Sequence, residues 1–476
     1  MKEYDVIAIG TGSAMNIVSS LLNNQPDLKI AVIDKDTPGG ICLTKGCIPT
    51  KILLYPSEII QNIKRAGIFG IDVEIKKIDF KFIMERMRKI IGHDMSNIKA
   101  GLSETKELDF YQEKAEFIGP YTLTVGKENI KGKTILLCTG SKPKIPLIVG
   151  LEKINYYTSD SILQINELPK SICIIGGGYI AAEYGHFFSS MGSKVTIIGR
   201  NPQFLPQEEP EVSDLALKEL RNNIEIITNA EVREIDGLKD GRKKIIAVNR
   251  ETRNKIAIEA DEVLVAVGRS ANTNILHPNK SRISTDEDGW IIVNDYLETT
   301  KSNIWAFGDA NGRYLFKHVG NYESLIVYYN AFHKQKLKAD YHAIPHAVFT
   351  EPEIASVGML EAEAVKKFGK ANILIGFHLY QDTAKGTAME LKDYFVKIIV
   401  NKETMEILGA HIIGPQASVL IQEIITLMYT QEQSVLPIMR GMHIHPALPE
   451  VVERAGSNLM SIEQYHHKLK HLGFEI

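Results

Sequence analysis

The stretch Gly39-Gly40-Ile41-Cys42-Leu43-Thr44-Lys45-Gly46-Cys47-Ile48-Pro49-Thr50-Lys51 holds two cysteines separated by four residues. Cysteines this close can join only through a distorted turn, and a strained, accessible disulfide is readily reduced. Gly39 and Gly40 let a ligand approach bare backbone, and Lys51 places a cation one turn beyond the second sulfur. The pattern therefore predicts a redox centre.

Two other uses of the cysteine pair fit the sequence less well. A metal site needs about four ligands, and neither a second close cysteine pair nor a histidine lies beside Cys42 and Cys47. A purely structural disulfide is unexpected because the remaining cysteines, Cys138 and Cys173, lie in apolar strand patterns typical of inert core thiols. We therefore expect a redox pair and no metal.

Length and composition indicate a globular chain of several domains. Its 476 residues exceed what one hydrophobic core usually serves. A formal net charge of -3 and a pI near 6.6 give no electrostatic support for binding nucleic acid or an anionic membrane surface. The sequence shows no signal peptide and no apolar run that could span a bilayer, and four cysteines suit a reducing compartment. We expect a cytoplasmic protein with small-molecule partners.

Residues 4–34 predict a strand, a glycine-rich turn, a helix and a second strand. The turn Gly10-Thr11-Gly12-Ser13-Ala14-Met15 has glycine at its first two positions, so a pyrophosphate can lie against the helix N-terminus. Met15 stands where glycine or alanine is usual, which weakens the motif. Asp34 ends the second strand at the distance at which a carboxylate accepts a hydrogen bond from a ribose hydroxyl.

The same unit recurs after Ser171, so we expect two bound dinucleotides. Its turn, Gly176-Gly177-Gly178-Tyr179-Ile180-Ala181, has glycine or alanine at all three motif positions. Arg200 follows the second strand, where an NAD-specific enzyme would carry an acid for the ribose 2′-hydroxyl. A guanidinium pairs with a 2′-phosphate, which favours NADPH over NADH.

From about Tyr341 the pattern changes to strands and helices without a glycine-rich turn, which predicts an α+β module. Near the end lies His443-Ile444-His445-Pro446-Ala447-Leu448-Pro449-Glu450. Proline holds His445 extended, and Glu450 begins a predicted helix from which it can orient one imidazole nitrogen. This is the arrangement of a general base and its orienting carboxylate.

Together these motifs resemble the flavoprotein disulfide reductases, or pyridine nucleotide-disulfide oxidoreductases, which include dihydrolipoamide dehydrogenase, glutathione reductase and mycothione reductase. The likeness covers nearly the whole chain. The residues that carry it are Gly40-Ile41-Cys42, Cys47 to Lys51, the two glycine turns, Gly308-Asp309, and His445-Pro446 with Glu450. The stretches closest to mycothione reductase are residues 9–13, 179–183, 317–319 and 445–453.

The resemblance implies an α/β fold with two Rossmann-like dinucleotide-binding domains and a C-terminal α+β dimerisation domain. The expected boundaries are 1–150 for the first part of the FAD-binding domain, with the redox disulfide, and 151–270 for the NAD(P)H-binding domain. Residues 271–342 would return to the FAD-binding part, and 343–476 would form the dimerisation domain.

The resemblance also implies the roles of particular residues. FAD would be held by Gly10, Gly12, Ser13, Asp34, Gly40, Cys42, Cys47, Lys51, Thr139, Gly140, Asp309, Leu315 and His318. NAD(P)H would be held by Gly176, Gly178, Tyr179, Ile180, Glu183, Arg200 and Gly268. Cys47 would face the flavin, Cys42 would exchange with substrate, and Lys51 would pair with Glu183. His445 and Glu450 would complete the partner's site in a homodimer.

The predicted function is the transfer of electrons from NADPH through FAD and the Cys42/Cys47 disulfide to a small disulfide, as in mycothione reductase. The first alternative is a dihydrolipoamide dehydrogenase that uses NAD and acts on a lipoyl domain. The second is a flavoprotein that binds a partner without catalysis. Glutathione reductases place an arginine on the first helix, where Ser19-Ser20-Leu21 offers none, and residues 465–476 lack the additional cysteines of mercuric reductases.

Overall fold

The computed structural model describes residues 1–474. Its first structural unit, which we call the first layer, contains a largely parallel sheet. Apolar runs such as Val6-Ile7-Ala8-Ile9 form strands that are buried on both faces, as in parallel sheets covered by helices. The elements are β1 (Lys2–Ile9), α1 (Ala14–Asn24), β2 (Ile30–Ile33), α2 (Gly40–Thr44), α3 (Cys47–Arg65), α4 (Phe80–Glu104), β3 (Leu108–Tyr111), β4 (Ala115–Gly119), β5 (Thr122–Val125), β6 (Glu128–Leu137) and β7 (Ser141–Pro143). The strand order is β3-β2-β1-β6-β5-β4, in which β4 and β5 are antiparallel additions.

The second layer repeats this design with an all-parallel sheet of order β11-β10-β9-β15-β8 and an antiparallel sheet of order β12-β13-β14. Its elements are β8 (Tyr157–Thr158), β9 (Ser171–Ile175), α5 (Tyr179–Met191), β10 (Lys194–Ile198), α6 (Pro210–Leu220), β11 (Glu225–Ile227), β12 (Ala230–Gly237), β13 (Lys243–Asn249), β14 (Lys255–Ala260), β15 (Glu262–Val265) and β16 (Arg269–Ala271). The two units predicted from the glycine turns are thus both present.

The chain then returns to the first layer through β17 (Ile304–Ala306) and α7 (Lys317–Phe332). β17 lies parallel to β6, with Ile304 opposite Ile135. β16 pairs antiparallel with β7, so the crossing between the layers is held by a two-stranded ribbon. The return brings Asp309 to the same edge of the sheet as the first glycine turn.

The remaining module is an antiparallel sheet of order β18-β19-β22-β21-β20-β23 packed against helices, which is the predicted α+β arrangement. Its elements are β18 (Pro345–Val348), β19 (Ile354–Gly358), α8 (Glu361–Phe368), β20 (Ile373–Leu379), α9 (Ala384–Ala388), β21 (Phe395–Asn401), β22 (Ile407–Ile413), α10 (Ala417–Met428), α11 (Leu436–Arg440), α12 (Glu450–Ser457), β23 (Leu459–Ser461) and α13 (Ile462–His471). Among residues 1–474, no helix combines the length and apolarity that a membrane crossing requires.

A buried ionic cluster holds the module against the second layer. Lys397 of β21 is fully buried, and its Nζ lies 2.6 Å from Glu211 and 2.8 Å from Glu361. Because a buried ammonium needs paired carboxylates, these contacts fix α6 against β21. The second nucleotide fold is thereby positioned relative to the C-terminal sheet.

Candidate active site

A cavity of about 940 Å³ opens where β1 and β6 end and extends to α3 and α5. Every residue predicted to hold FAD lines this cavity: Gly10, Gly12, Ser13, Asp34, Gly40, Cys42, Cys47, Lys51, Thr139, Gly140, Asp309, Leu315 and His318. The predicted nicotinamide-side residues Tyr179, Ile180 and Glu183 line its other end. Four nucleotide residues, Gly176, Gly178, Arg200 and Gly268, are not among its lining and lie in the turns that follow β9, β10 and β15.

The first glycine turn leaves no room for side chains. Gly10 has φ +103°, and a Cβ there would lie 2.1 Å from the carbonyl oxygen of Cys138. A Cβ on Gly40, at φ +70°, would lie 2.6 Å from the Cα of Gly12. Glycine is required at both positions because the backbone is in the left-handed region and the neighbouring backbone is in contact.

Asp34 is held at the cavity wall by the turn itself. One carboxylate oxygen accepts the Thr11 N–H at 2.9 Å and the Thr11 hydroxyl at 2.5 Å. The Thr11 hydroxyl oxygen in turn accepts the Gly39 N–H at 2.9 Å. The other oxygen accepts the Asp36 N–H at 3.0 Å and keeps a lone pair for the ribose hydroxyl that the sequence predicts.

The cavity fits a dinucleotide such as FAD. The Thr139 hydroxyl is buried and has no hydrogen-bond partner among the described residues, so a bound group can satisfy it. The glycine backbone provides close approach for a pyrophosphate, and Asp34 faces the place of a ribose. When bound, FAD supplies two-electron transfer between a nicotinamide and a dithiol.

The cysteine pair lies across the break between α2 and α3. Cys42 belongs to α2, Cys47 is the first residue of α3, and both are thiols in the structure. A hydrogen bond from Cys42, assisted by the charge of Lys51, lowers the pKa of Cys47 to about 7. The same hydrogen bond, together with burial, raises the pKa of Cys42. In the reduced pair, the thiolate is therefore on Cys47 and the proton on Cys42.

Lys51 and Glu183 join the two nucleotide folds beside the thiols. The Lys51 ammonium lies 2.8 and 2.7 Å from the two carboxylate oxygens of Glu183, which is buried. The Phe349 N–H donates to the same carboxylate at 3.1 Å, and the ammonium lies 4.5 Å from the centroid of the Phe349 ring. The predicted pair is confirmed as a contact, and Phe349 is a third participant that no sequence motif had indicated.

A second network at the cavity was not predicted. Arg269 Nε donates to the Ser141 hydroxyl at 2.6 Å, and that hydroxyl donates to Asp309 at 2.5 Å. Burial raises the pKa of Asp309. Ser141 and Arg269 directly follow the predicted strand-end glycines Gly140 and Gly268. Their position next to these glycines is the sequence feature that could have identified them. Lys317 was also missed; its ammonium donates to the Ser13 hydroxyl at 3.0 Å.

His445 and Glu450 form the predicted pair but are not among the described residues that line this cavity. The imidazole Nδ1 lies 2.8 Å from one Glu450 oxygen, and the Ala447 N–H donates to the other at 3.1 Å. The hydrogen bond from His445 lowers the pKa of Glu450. The His445 side chain is 66% exposed, whereas Glu450 is buried. The ring therefore points its free nitrogen toward a surface.

Two nucleotide folds around a dithiol define a class of protein, the flavin- and nicotinamide-dependent dithiol oxidoreductases. Comparisons with known sequences agree: the profile described as pyridine nucleotide-disulphide oxidoreductase matches residues 4–333, and that family's dimerisation domain matches residues 344–455. The chain belongs to this family of enzymes, whose members bind FAD and NAD(P)H.

Individual relatives are similar over almost their full length. Mycothione reductase of Mycobacterium tuberculosis is 33% identical over 467 residues, which cover 96% of this chain and 99% of the relative. Dihydrolipoyl dehydrogenase of Chlamydia trachomatis is 33% identical over 475 residues, or 98% of each chain. The solved structure of RclA, a HOCl-induced flavoprotein disulfide reductase from Escherichia coli, superposes with a TM-score of 0.84 at 27% identity and covers 95% of this chain and 99% of its own.

Proposed function

We propose that the protein reduces a small disulfide with electrons from NADPH, in the manner of a mycothione reductase. The observation that carries the proposal is the Cys42/Cys47 pair, which lines the cavity that fits FAD together with Tyr179 and Ile180 at the start of α5. A thiolate is the species that exchanges with disulfides, and the pair already contains one near neutral pH.

The proposed thiol–disulfide exchange uses residues of both subunits, which together account for every proton and electron that moves. The partner subunit's His445 takes the proton of Cys42, whose thiolate attacks one sulfur of the substrate and forms a mixed disulfide. The departing substrate thiolate takes that proton back from the imidazolium. Cys47 then attacks the Cys42 sulfur, so the Cys42/Cys47 disulfide forms and the second substrate thiolate leaves.

The preference for NADPH rests on two arginines. Arg200 is exposed at the end of β10, as predicted. Arg250, on the turn between β13 and β14, donates to the Arg200 carbonyl oxygen at 3.0 Å and is also exposed. Two guanidinium groups at the end of this strand suit a 2′-phosphate better than a ribose hydroxyl. The carboxylate of Glu251 lies nearby, 3.5 Å from the Asn229 amide nitrogen.

Steady-state assays with NADPH and NADH test the nucleotide. We expect the wild type to favour NADPH, and Arg200→Ala and Arg250→Ala each to raise the KM for NADPH about tenfold without changing that for NADH. Arg253→Ala, on the same turn, is the matched control. A wild type that favours NADH would overturn the proposal.

A second candidate is dihydrolipoamide dehydrogenase, because a relative of that name is as similar as the mycothione reductase. This enzyme would run toward NAD reduction and accept dihydrolipoyl groups. A panel of lipoamide, cystine, glutathione, coenzyme A and sugar-thiol disulfides distinguishes the two. Activity confined to lipoamide with NADH would select the second candidate.

The composite site is tested by mixing inactive variants. Cys42→Ser and His445→Ala homodimers are both expected to be nearly inactive. In a mixed dimer one site carries both defects and the other carries neither, so random exchange of equal amounts restores roughly a quarter of wild-type activity. A mixture that has exchanged subunits and stays inactive would place the whole site within one chain.

A further inference from the structure

A second cavity, of about 630 Å³, lies at the ends of α3 and α5 that are remote from the dithiol. Among residues 1–474, the two cavities share no lining residue. All three layers of the protein contribute to it. The polar residues that face it include Gln61 and Arg65 of α3, His186 and Ser189 of α5, Glu219 of α6, and Glu351 and Tyr394 of the C-terminal module.

Two carboxylates in this cavity lack a hydrogen-bond or ion-pair partner. Within residues 1–474, neither Glu219 nor Glu351 takes part in a side-chain hydrogen bond or an ion pair, and burial raises the pKa of both. Both side chains are partly buried, and the cost of that burial outweighs the nearby charge of Arg65, which by itself would lower both pKa values. Both groups would therefore be stabilised by a ligand that brings positive charge and N–H donors.

A third unpartnered group is the imidazole of His186. The residue is 5% exposed, lines the cavity, and forms no side-chain hydrogen bond within the described part of the chain. Burial lowers its pKa to about 4, so the ring is neutral at neutral pH and offers an acceptor nitrogen. The cavity thus presents three acceptors, of which the His186 ring is buried and the two carboxylates are partly exposed.

Among the nearby cations of the described residues, Arg65 forms no ion pair with either carboxylate, although its charge acts on both and partly offsets their burial. Arg65 donates to the carbonyl oxygen of Met389 at 2.9 Å. At the mouth, Asp393 is paired with Lys218 at 2.8 Å, and Glu390 and Lys392 are exposed. The described residues contain no group of three or more histidine, cysteine or acidic side chains arranged for a metal ion. An ammonium group carries three N–H donors that rotate about the C–N bond, so it has looser geometric demands than a metal ion.

We propose that this cavity binds a small aliphatic amine with two ammonium groups, held by Glu219 and Glu351 and by the neutral ring of His186. The ligand would touch the same two helices that carry Lys51 and Glu183 at their other ends. These helices are also tied together beside the cavity, where Gln61 donates to the Ser190 hydroxyl at 3.0 Å. The proposal is independent of the disulfide that the enzyme reduces.

Calorimetric titration of the FAD-loaded protein with 1,4-diaminobutane tests the site. We expect saturable binding of one amine per chain and no binding of 1,4-butanediol, which lacks the charge. Glu219→Gln and Glu351→Gln should each weaken binding about tenfold, since each removes a charge-assisted hydrogen bond. Glu287→Gln removes an exposed acid outside the cavity and should bind as the wild type does.

Three results would overturn the proposal: no saturable binding to the wild type, equal binding by the two glutamine variants and the wild type, or displacement of the amine by an equal concentration of Mg²⁺. Retained flavin absorbance shows that each variant is folded. If Glu351→Gln fails this check, Glu219→Gln on the half-exposed side of α6 decides the question alone.

Discussion

The two nucleotide folds use the same glycine contact and differ in the residues beyond their glycine turns. A Cβ on Gly10 would lie 2.1 Å from the Cys138 carbonyl oxygen, and a Cβ on Gly176 would lie 2.1 Å from that of Ala266. Both glycines have positive φ, +103° and +137°. In each fold the turn therefore packs directly on the end of the neighbouring parallel strand. Because both folds share this contact, it is a feature of the nucleotide-binding fold and not of one particular ligand.

The differences begin at the third motif position, which is Met15 in the first fold and Ala181 in the second. The second strand ends with Asp34 in one fold and with Arg200 in the other. Only the first fold is followed by the cysteine segment, which occupies α2 and the start of α3. The shared contact thus defines a nucleotide fold, while the strand ends and the inserted segment define which ligand and which chemistry it serves.

The largest expected effect comes from breaking the shared contact in one fold at a time. Gly10→Ala should prevent FAD binding, because the new Cβ meets backbone that cannot move away and the φ angle disfavours any side chain. Gly176→Ala should keep FAD but lose flavin reduction by NADPH. The ratio of flavin to protein absorbance and anaerobic mixing with NADPH measure the two properties.

Gly67→Ala is the control for these substitutions, since its Cβ would meet nothing within 4 Å and its φ is ordinary. It should bind FAD and be reduced at the wild-type rate. A Gly176→Ala variant that is reduced as fast as the wild type would show that the second fold does not carry the nicotinamide nucleotide.

The second largest expected effect is a difference in alkylation rate between the cysteines of the two nucleotide folds and those of the inserted segment. Burial raises the pKa of Cys138, beside the first fold's turn, to about 11 and that of Cys173, in the second fold, to about 12. Cys47, with a pKa of about 7, should react with iodoacetamide about a thousandfold faster at neutral pH, because the thiolate is the nucleophile.

Mass spectrometry of the reduced protein over a pH series measures this difference. Alkylation of Cys47 should rise with pH and reach half its maximal rate near pH 7, while Cys138 and Cys173 stay unmodified until the protein unfolds. Cys42→Ala removes the hydrogen bond that lowers the pKa and should move the midpoint upward. Of the two cysteines expected in the core, only Cys173 is buried, whereas Cys138 is partly exposed and lines the FAD cavity. Fast labelling of Cys138 in the FAD-loaded protein would contradict its raised pKa.

Much of this organisation was readable from the sequence because glycine spacing and apolar runs are local signals. The two turns and the cysteine segment lie where they were predicted, and the α/β class with an α+β module is confirmed. The Lys51–Glu183 contact, which joins distant segments, was implied by the family resemblance and not by a local pattern. The individual domain boundaries and the roles of the site residues remain predictions. The location of His445 outside the cavity lining is consistent with a site shared between subunits.

What the sequence did not reveal depends on contacts between distant segments. Phe349 reaches Glu183 from the C-terminal module, and Arg250 reaches the Arg200 carbonyl from a hairpin turn 50 residues later. Neither contact has a spacing rule, because each depends on how the layers pack. The second cavity is of the same kind, since its lining residues come from all three layers.

A smaller effect is expected where the two folds are joined. Lys51→Met leaves the buried Glu183 carboxylate with only the Phe349 N–H, which should lower the free energy of unfolding by about 3 kcal/mol. The loss of the Lys51 charge should also raise the alkylation midpoint of Cys47. Urea denaturation and the pH series measure the two consequences.

Adding Glu183→Gln to Lys51→Met should recover most of the lost stability, since the buried charge is then removed as well. Lys81→Met, which breaks an exposed pair with Glu85 at 3.8 Å, is the control and should leave the denaturation midpoint unchanged. If the double variant is no more stable than Lys51→Met, the ammonium contributes by packing on Phe349 and not by neutralising Glu183.

The smallest effects concern the third motif position, where the folds differ most plainly in sequence. Ala181 is fully buried in the core, so Ala181→Met should overpack it and cost about 2 kcal/mol of stability. Met15 is only partly buried against the first layer, so Met15→Ala should cost about 1 kcal/mol and leave FAD bound. Urea midpoints of the two variants test this asymmetry. Equal costs would mean that helix and strand approach equally closely in both folds, and that Met15 is as confined as Ala181.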